Sequence, residues 1–371
     1  MKDKYFRIHL AYSDRHFYPG KENKVTEWFS CSQIASHMWK VLEKNFVNVT
    51  YGDNVPCGKI DLLWTNRHEG RNAQVQRMAT FASIAHFNFV TRKISENLSY
   101  ATDSPVEGLS SIIDKWKHWR SLSLSDLVLI IGNDHILQTF NIQRMRGSLH
   151  LVDCGIDTEH FRGPEDIVRD KIFVHNATRF SVRKGSHIVA GAWKKIVHKI
   201  PDATLILLGR EGDIDIMQLL GNCPRVVFSG AYQSGSSEYV RSLSSSSWVL
   251  QPSLAEGQAG TLLEAMSCGC VPLASRSSGI DAEKYGGYPL HGNTIDELAG
   301  AMLLAMGEWT PQQSKNVRQK VVEYHNWQLF EKKFLELTLA LLERGPFRTP
   351  LGMNVLKDFI FFIQAKDKIQ I

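Results

Sequence analysis

A chain of 371 residues with 43% hydrophobic and 22% charged side chains is long enough for two buried cores and ordinary in composition for a globular protein. Its formal net charge of +5 favours an anionic small ligand or an acidic membrane surface and is too weak to imply nucleic acid. The opening MKDKYFRIHLAYSDRH has no long apolar run, and no stretch approaches roughly 18 uninterrupted apolar residues, so neither a signal peptide nor a membrane-spanning helix is expected. Cysteines at 31, 57, 154, 223, 268 and 270 lack repeated CxxC spacing and read as reduced thiols of a cytoplasmic protein.

In chain order, residues 6–12, 47–51, 60–65, 87–91, 127–131 and 149–153 read as short strands, and 32–45, 72–86 and 109–122 as helices. Such alternation predicts an α/β protein with a mostly parallel sheet covered on both faces. The pattern restarts with strands at 171–175, 203–208, 225–229, 248–251 and 271–274 and helices at 186–200, 239–246 and 261–268. The two halves join near 155–164, and helix-like stretches follow from Thr310, including 330–344. The apolar segment 357–363, KDFIFFI, needs a partner surface, either the N-terminal domain or a membrane face.

The segment 248–275 sets Glu256 and Glu264 around a glycine-interrupted loop between two apolar strands. There Gly257 and Gly260 allow backbone amides to approach an anion, and a helix starting near Thr261 favours negative charge. Two carboxylates beside such an anion site repel what it attracts; the hydroxyl groups of a sugar, for which a carboxylate is a strong acceptor, supply a reason for them. Glu264 has a structural alternative, because Thr261-Leu262-Leu263-Glu264 is also a capping-box sequence. Arg179 and Lys184, on the loop between a strand and the following helix, can neutralise a diphosphate, whereas Arg183 reads as surface. Gly209 and Tyr232 end strands on the same sheet edge, where they either border a nucleobase or simply form turns. No HExxH, GxxxxGK[ST] or GxGxxG pattern occurs, so no metal site, NTPase or dinucleotide oxidoreductase is expected.

The order of these motifs resembles a known family. Cys154-Gly155-Ile156-Asp157 to Phe161, Arg179 to Lys184-Gly185, Pro201-Asp202-Ala203 to Gly209, and the Glu256-x7-Glu264 pair are similar to motifs of family 4 glycosyltransferases of the GT-B fold. The resemblance covers about 150–280 well and the N-terminal half in pattern only. It implies two Rossmann-like domains facing across a cleft: 1–160 for the acceptor, 161–335 for the donor, and 336–371 as helices returning to the first domain. By the same resemblance the chain is a retaining glycosyltransferase, with hexosyl transfer expected, that uses a UDP- or GDP-sugar, a glycan or lipid-linked acceptor and no cofactor. Glu264 would then bind the ribose and Glu256 the transferred sugar, with Arg179 and Lys184 on the diphosphate. Here the sequence departs from the family loop, reading Glu256-Gly257-Gln258-Ala259-Gly260-Thr261 where the family has Glu-Gly-Phe-Gly-Leu-Pro. The N-terminal glycine-rich loop is missing, with Pro19-Gly20 and residues 30–32 the nearest substitutes. The family's N-domain histidine finds Arg92 after Val90-Thr91, with His68 and His86 as alternatives. Two rival functions are a non-catalytic nucleotide-sugar binding protein and a GT-B phosphorylase using pyridoxal phosphate, for which no cofactor lysine site is recognisable.

Overall fold

A computed structural model describes residues 3–11, 30–52, 58–65, 73–82, 124–140, 147–163, 169–230 and 235–343, with isolated positions between them. Strand β1 (Asp3–Ala11) is followed by α1 (Ser30–Asn45), β2 (Phe46–Tyr51), β3 (Gly58–Ile60), β4 (Leu62–Thr65), β5 (Ala73–Val75), β6 (Met78–Ala82), β7 (Leu127–Ile131), α2 (Asp134–Gln138) and β8 (Ser148–Val152). A six-stranded sheet runs β2-β1-β4-β6-β7-β8 with every pair parallel, and β3 and β5 form a separate two-stranded pair. Its central strands are buried along their whole length, as parallel strands covered on both faces must be.

The second half holds β9 (Asp170–Arg179), α3 (Ser186–Ile196), β10 (Thr204–Arg210), α4 (Ile216–Leu220), β11 (Val226–Gly230), α5 (Ser237–Ser245), β12 (Ser246–Gln251), α6 (Gly260–Ser267), β13 (Val271–Ser275) and β14 (Tyr288–Leu290). Its sheet runs β11-β10-β9-β12-β13-β14, again all parallel. Helices α7 (Ile295–Glu308), α8 (Pro311–Tyr324) and α9 (Trp327–Glu343) complete the described chain. Two all-parallel sheets flanked by helices make this the α/β, GT-B architecture expected of the sequence.

One expectation fails. The predicted helix over 72–86 is two strands, β5 and β6. Met78 through Ala82 are buried on both faces between β4 and β7, a short apolar run that a helix period cannot distinguish from a central strand. The predicted strand over 87–91 and helix over 109–122 lie almost wholly outside the described residues; 90 and 92–94 are helical. Pro19, Gly20, His68, His86 and the 357–363 segment also lie outside them. Among the described residues, α2, α4, β14 and α7 have no predicted counterpart, although Thr294 caps α7 by accepting from the Glu297 amide at 3.2 Å, a Thr-x-x-Glu signature present in the sequence.

Helix α9 packs on the first sheet. Phe334 lies 4.8 Å from Trp64, Phe330 lies 6.4 Å from Phe81, and Trp327 stacks on His37 of α1 at 4.0 Å. Trp64, Phe81, Phe330 and Phe334 are among the largest fully buried side chains of the described residues, so the crossing is part of the core. Just before it, His325 is sealed between the two halves: its Nδ1 donates to Cys154 O at 3.1 Å, and its Nε2 faces the Tyr285 hydroxyl at 2.6 Å. Burial lowers its pKa and keeps the ring neutral, which suits one donating and one accepting nitrogen.

Candidate functional site

The C-terminal ends of β9 and β12 place the charged residues. After β9 the chain turns at 181–186, where the Lys184 amide donates to Ser181 Oγ at 3.2 Å and the Ser181 amide to Ser186 Oγ at 3.1 Å. Ser186 is in turn held by His175 Nε2 at 2.9 Å, and His175 Nδ1 donates to Leu250 O on β12 at 3.0 Å. Burial pushes the His175 pKa down to about 4, leaving a neutral ring that ties the loop to the sheet centre. Gly185 completes the turn at φ +71, where a Cβ would sit 2.1 Å from Pro252 O. Only glycine fits both the left-handed backbone and that approach.

Lys184 is thereby aimed at Glu256, with Nζ 2.9 Å from Oε1, and Arg183 Nη1 pairs with Oε2. The expectation that Arg183 is surface is corrected: its side chain is 29% exposed, bound to Glu256 and to Ala255 O. Glu256 is 8% exposed. Burial by itself would raise its carboxyl, but the Lys184 ammonium and the Arg183 guanidinium together hold it below the usual carboxylate range.

Glu264 occupies a different environment one turn along. Helix α6 begins at Gly260 with Ala259 as its uncapped N-cap residue, so the capping-box reading of Glu264 is overturned. Its Oε2 accepts from the Tyr239 hydroxyl of α5, and Asn176 on β9 donates to that hydroxyl at 2.7 Å and to Thr261 O at 2.9 Å. Burial pushes the Glu264 carboxyl up to about 7 despite the Tyr239 bond and the Lys184 charge. The Thr261 Oγ1 beside it is buried without a hydrogen-bond partner among the described residues. A buried hydroxyl left unpaired next to a carboxylate marks a place where a polar ligand can be accepted.

The remaining predicted residues spread around this pair. Arg179 stands exposed at the end of β9, without an ion pair among the described residues. Gly209 lies where a Cβ would meet Ala177 O at 1.9 Å, so close strand packing requires glycine there. Tyr232 is 36% exposed beyond β11, and Gly260 opens α6. The Gly257 carbonyl faces Gly279, where a Cβ would come within 1.7 Å. Thus Glu256, Lys184, Glu264, Gly257, Gly260 and Thr261 share one region, while Arg179, Gly209 and Tyr232 lie toward the β10 and β11 side.

Sequence reasoning missed Asn176, Tyr239 and Arg183. The dipeptide His175-Asn176 at the end of an apolar strand was the available signal, since a buried polar pair in a central strand requires partners. Across the cleft, Asn133 caps α2 through Ile136 and donates to Arg276 O at 3.1 Å and Asp281 Oδ1 at 2.9 Å, while His135 Nε2 lies 3.1 Å from Ser277 Oγ. The end of β7 and the start of α2 therefore meet the 276–281 loop, whose Ser277 carbonyl accepts from the Glu256 amide at 2.9 Å.

Residues 171–307 match the family described as glycosyl transferases group 1. No curated protein matches the chain in sequence. Among solved structures it is similar to the sucrose-phosphate synthase of Thermosynechococcus elongatus, with 19% identity, 76% of this chain and 74% of that one covered, and a TM-score of 0.57. The Anabaena protein Alr3699/HepE in complex with UDP and glucose covers 90% of this chain and 100% of its own at 16% identity and a TM-score of 0.58. WaaG, a glycosyltransferase involved in lipopolysaccharide biosynthesis, matches at 12% identity over 89% of this chain and 99% of its own, with a TM-score of 0.55. All three share the fold. Among the described residues no helix is long and apolar enough to cross a membrane.

Proposed function

We propose that the chain is a retaining glycosyltransferase that moves a hexose from a nucleotide diphosphate sugar, of UDP or GDP, to a hydroxyl of a glycan or lipid-linked acceptor. One observation carries the reading: two buried carboxylates of opposite proton affinity, Glu256 and Glu264, flank the start of α6 within reach of Lys184. The family match over 171–307 and the UDP and glucose bound by the Anabaena relative support it.

In this reading residues 161–335 hold the donor and residues 1–160 the acceptor. Arg179, Lys184 and the amides at Gly260 and Thr261 take the diphosphate, whose charge grows as the bond to the sugar breaks. Lys184 is shared between Glu256 and the leaving diphosphate, so it stabilises developing charge without being free in the resting state. Glu256 faces the transferred sugar, and the Glu264 oxygen not taken by Tyr239 accepts from the ribose. Cationic side chains and helix amides take the place of a bridging metal in this reading, so activity is expected to survive EDTA. The site of action is the cytoplasm, with reversible contact at the inner membrane face.

Incubation with a panel of UDP- and GDP-sugars, following release of the nucleoside diphosphate, tests this. Release with at least one donor, abolished in Glu256→Gln, is expected. No release from any donor, together with no rise in melting temperature on adding UDP or GDP, overturns the reading.

A further inference from the structure

The loop between β12 and α6 departs from the family pattern at Gln258, and the structure gives that departure a partner. Gln258 Oε1 accepts from the Cys154 amide at 2.6 Å, while its Nε2 donates to Asp153 Oδ1 at 2.7 Å and faces Gly279 O at 3.4 Å. Asp153 and Cys154 directly follow β8, the last strand of the first sheet. One side-chain amide from the loop carrying Glu256 thus meets an acceptor and a donor on the other half of the molecule, and the two bonds fix its orientation.

The surrounding contacts run the same way. A Cβ on Gly132, at the end of β7, would lie 3.0 Å from Gly257 O, and the Asn133 and His135 bonds reach the 276–281 loop, whose Ser277 carbonyl holds the Glu256 amide at 2.9 Å. Cys154 is buried, so loss of the Gln258 oxygen removes a hydrogen bond where water has little access. Asp153 is exposed, so its share is orientation more than energy.

We infer that Gln258 is a positioning residue: its amide clasps the donor loop to Asp153 and Cys154 of the first sheet and so sets where Glu256 stands when the cleft is closed. The inference rests on the proposed transferase reading for its kinetic consequence and on the hydrogen bonds alone for its structural one. It concerns the side chain that replaces the family's usual aromatic residue, and it leaves the roles of the two glutamates unchanged.

A charge swap tests it in the full chain. Gln258→Glu sets a second carboxylate against Asp153 and opens the clasp. Adding Asp153→Asn supplies an amide donor to the new carboxylate, whose other oxygen still accepts from the Cys154 amide, and restores both bonds. The first readout is hydrogen exchange of the peptide containing Cys154. It accelerates several-fold in Gln258→Glu and returns to the wild-type rate in the double variant. The second is a split in kinetics with a nucleotide sugar: turnover falls roughly tenfold in Gln258→Glu with UDP and GDP affinity nearly unchanged, and recovers in the double variant.

Wild-type exchange in Gln258→Glu, or failure of Asp153→Asn to rescue it, overturns the clasp. Rescue of exchange in a protein that turns over no nucleotide sugar supports the clasp and removes the transferase reading. Rescue of exchange without rescue of turnover overturns the positioning role.

Discussion

Glu256 and Glu264 sit eight positions apart on one loop and helix, both buried, and respond to burial in opposite ways. Around Glu256 two cations outweigh the cost of desolvation and keep the carboxylate charged. Around Glu264 a tyrosine hydroxyl and a more distant lysine do not, and its carboxyl rises to about 7. Burial penalises both acids; the number of cations in contact decides which stays ionised. The same residue type therefore supplies a permanent negative charge at one end of the site and a titrating group at the other.

Removing Lys184 should disturb this contrast most, because it lowers the proton affinity of both carboxyls. Lys184→Ala is expected to destabilise the protein by about 3 kcal/mol, at the low end for breaking a buried pair because Arg183 remains. It should also cost about 100-fold in turnover. Denaturant unfolding and initial rates measure the two losses; near wild-type values for both would show that Glu256 does not depend on the lysine.

The glutamates should separate in melting temperature against pH. Glu264 has a folded pKa of about 7, above its ordinary 4.5, so its contribution to stability is full below about 4.5 and is lost as pH rises through 7. Glu264→Gln is then expected to melt a few degrees above wild type at pH 8, with the gap closing in acid. Glu256 behaves in the opposite sense: its folded pKa is lowered, so its stability is present above 4.5 and lost as pH falls. Glu256→Gln should melt below wild type at pH 8, again converging in acid. Curves displaced in the same direction at pH 8 would erase the distinction.

A smaller effect should follow Tyr239→Phe, which removes the hydroxyl that Glu264 accepts. Affinity for UDP or GDP is expected to fall roughly tenfold, consistent with one hydrogen bond to a charged group. The loss should deepen as pH drops, since the carboxyl becomes still easier to protonate. Titration calorimetry at two pH values reads this. Smallest of all, Arg179→Ala should weaken nucleotide binding a few-fold and leave the melting temperature unchanged, because an exposed side chain without an ion pair among the described residues supports nothing but ligand.

Which parts of this could be read in advance follows from their physics. The strands at 127–131 and 248–251 and the helix at 32–45 announce themselves through apolar runs and period, and Glu256, Lys184 and Gly185 through spacing around a glycine turn. Strand β6 was concealed because Met-Ala-Thr-Phe-Ala carries no β-branched excess, and only its position between β4 and β7 decides its state. Tyr239 and Asn176 were concealed because their partner lies far along the chain, on an element whose packing no local pattern encodes. Arg183 looked like one more loop cation until Glu256 was folded against it.

The return of α9 has a bearing on how the molecule is made. His37 and Glu331, 2.5 Å apart in the finished protein, are separated by 294 positions in the chain. A ribosome releasing the N-terminus first delivers Trp64 and Phe81 long before Phe330 and Phe334, the rings that cover them. The first half therefore waits with an apolar surface open while the second half is synthesised, and synthesis must run through α9 before the first half is finished. A ribosome stalled anywhere before Phe330 leaves a product in which Trp64 and Phe81 lack the rings that cover them.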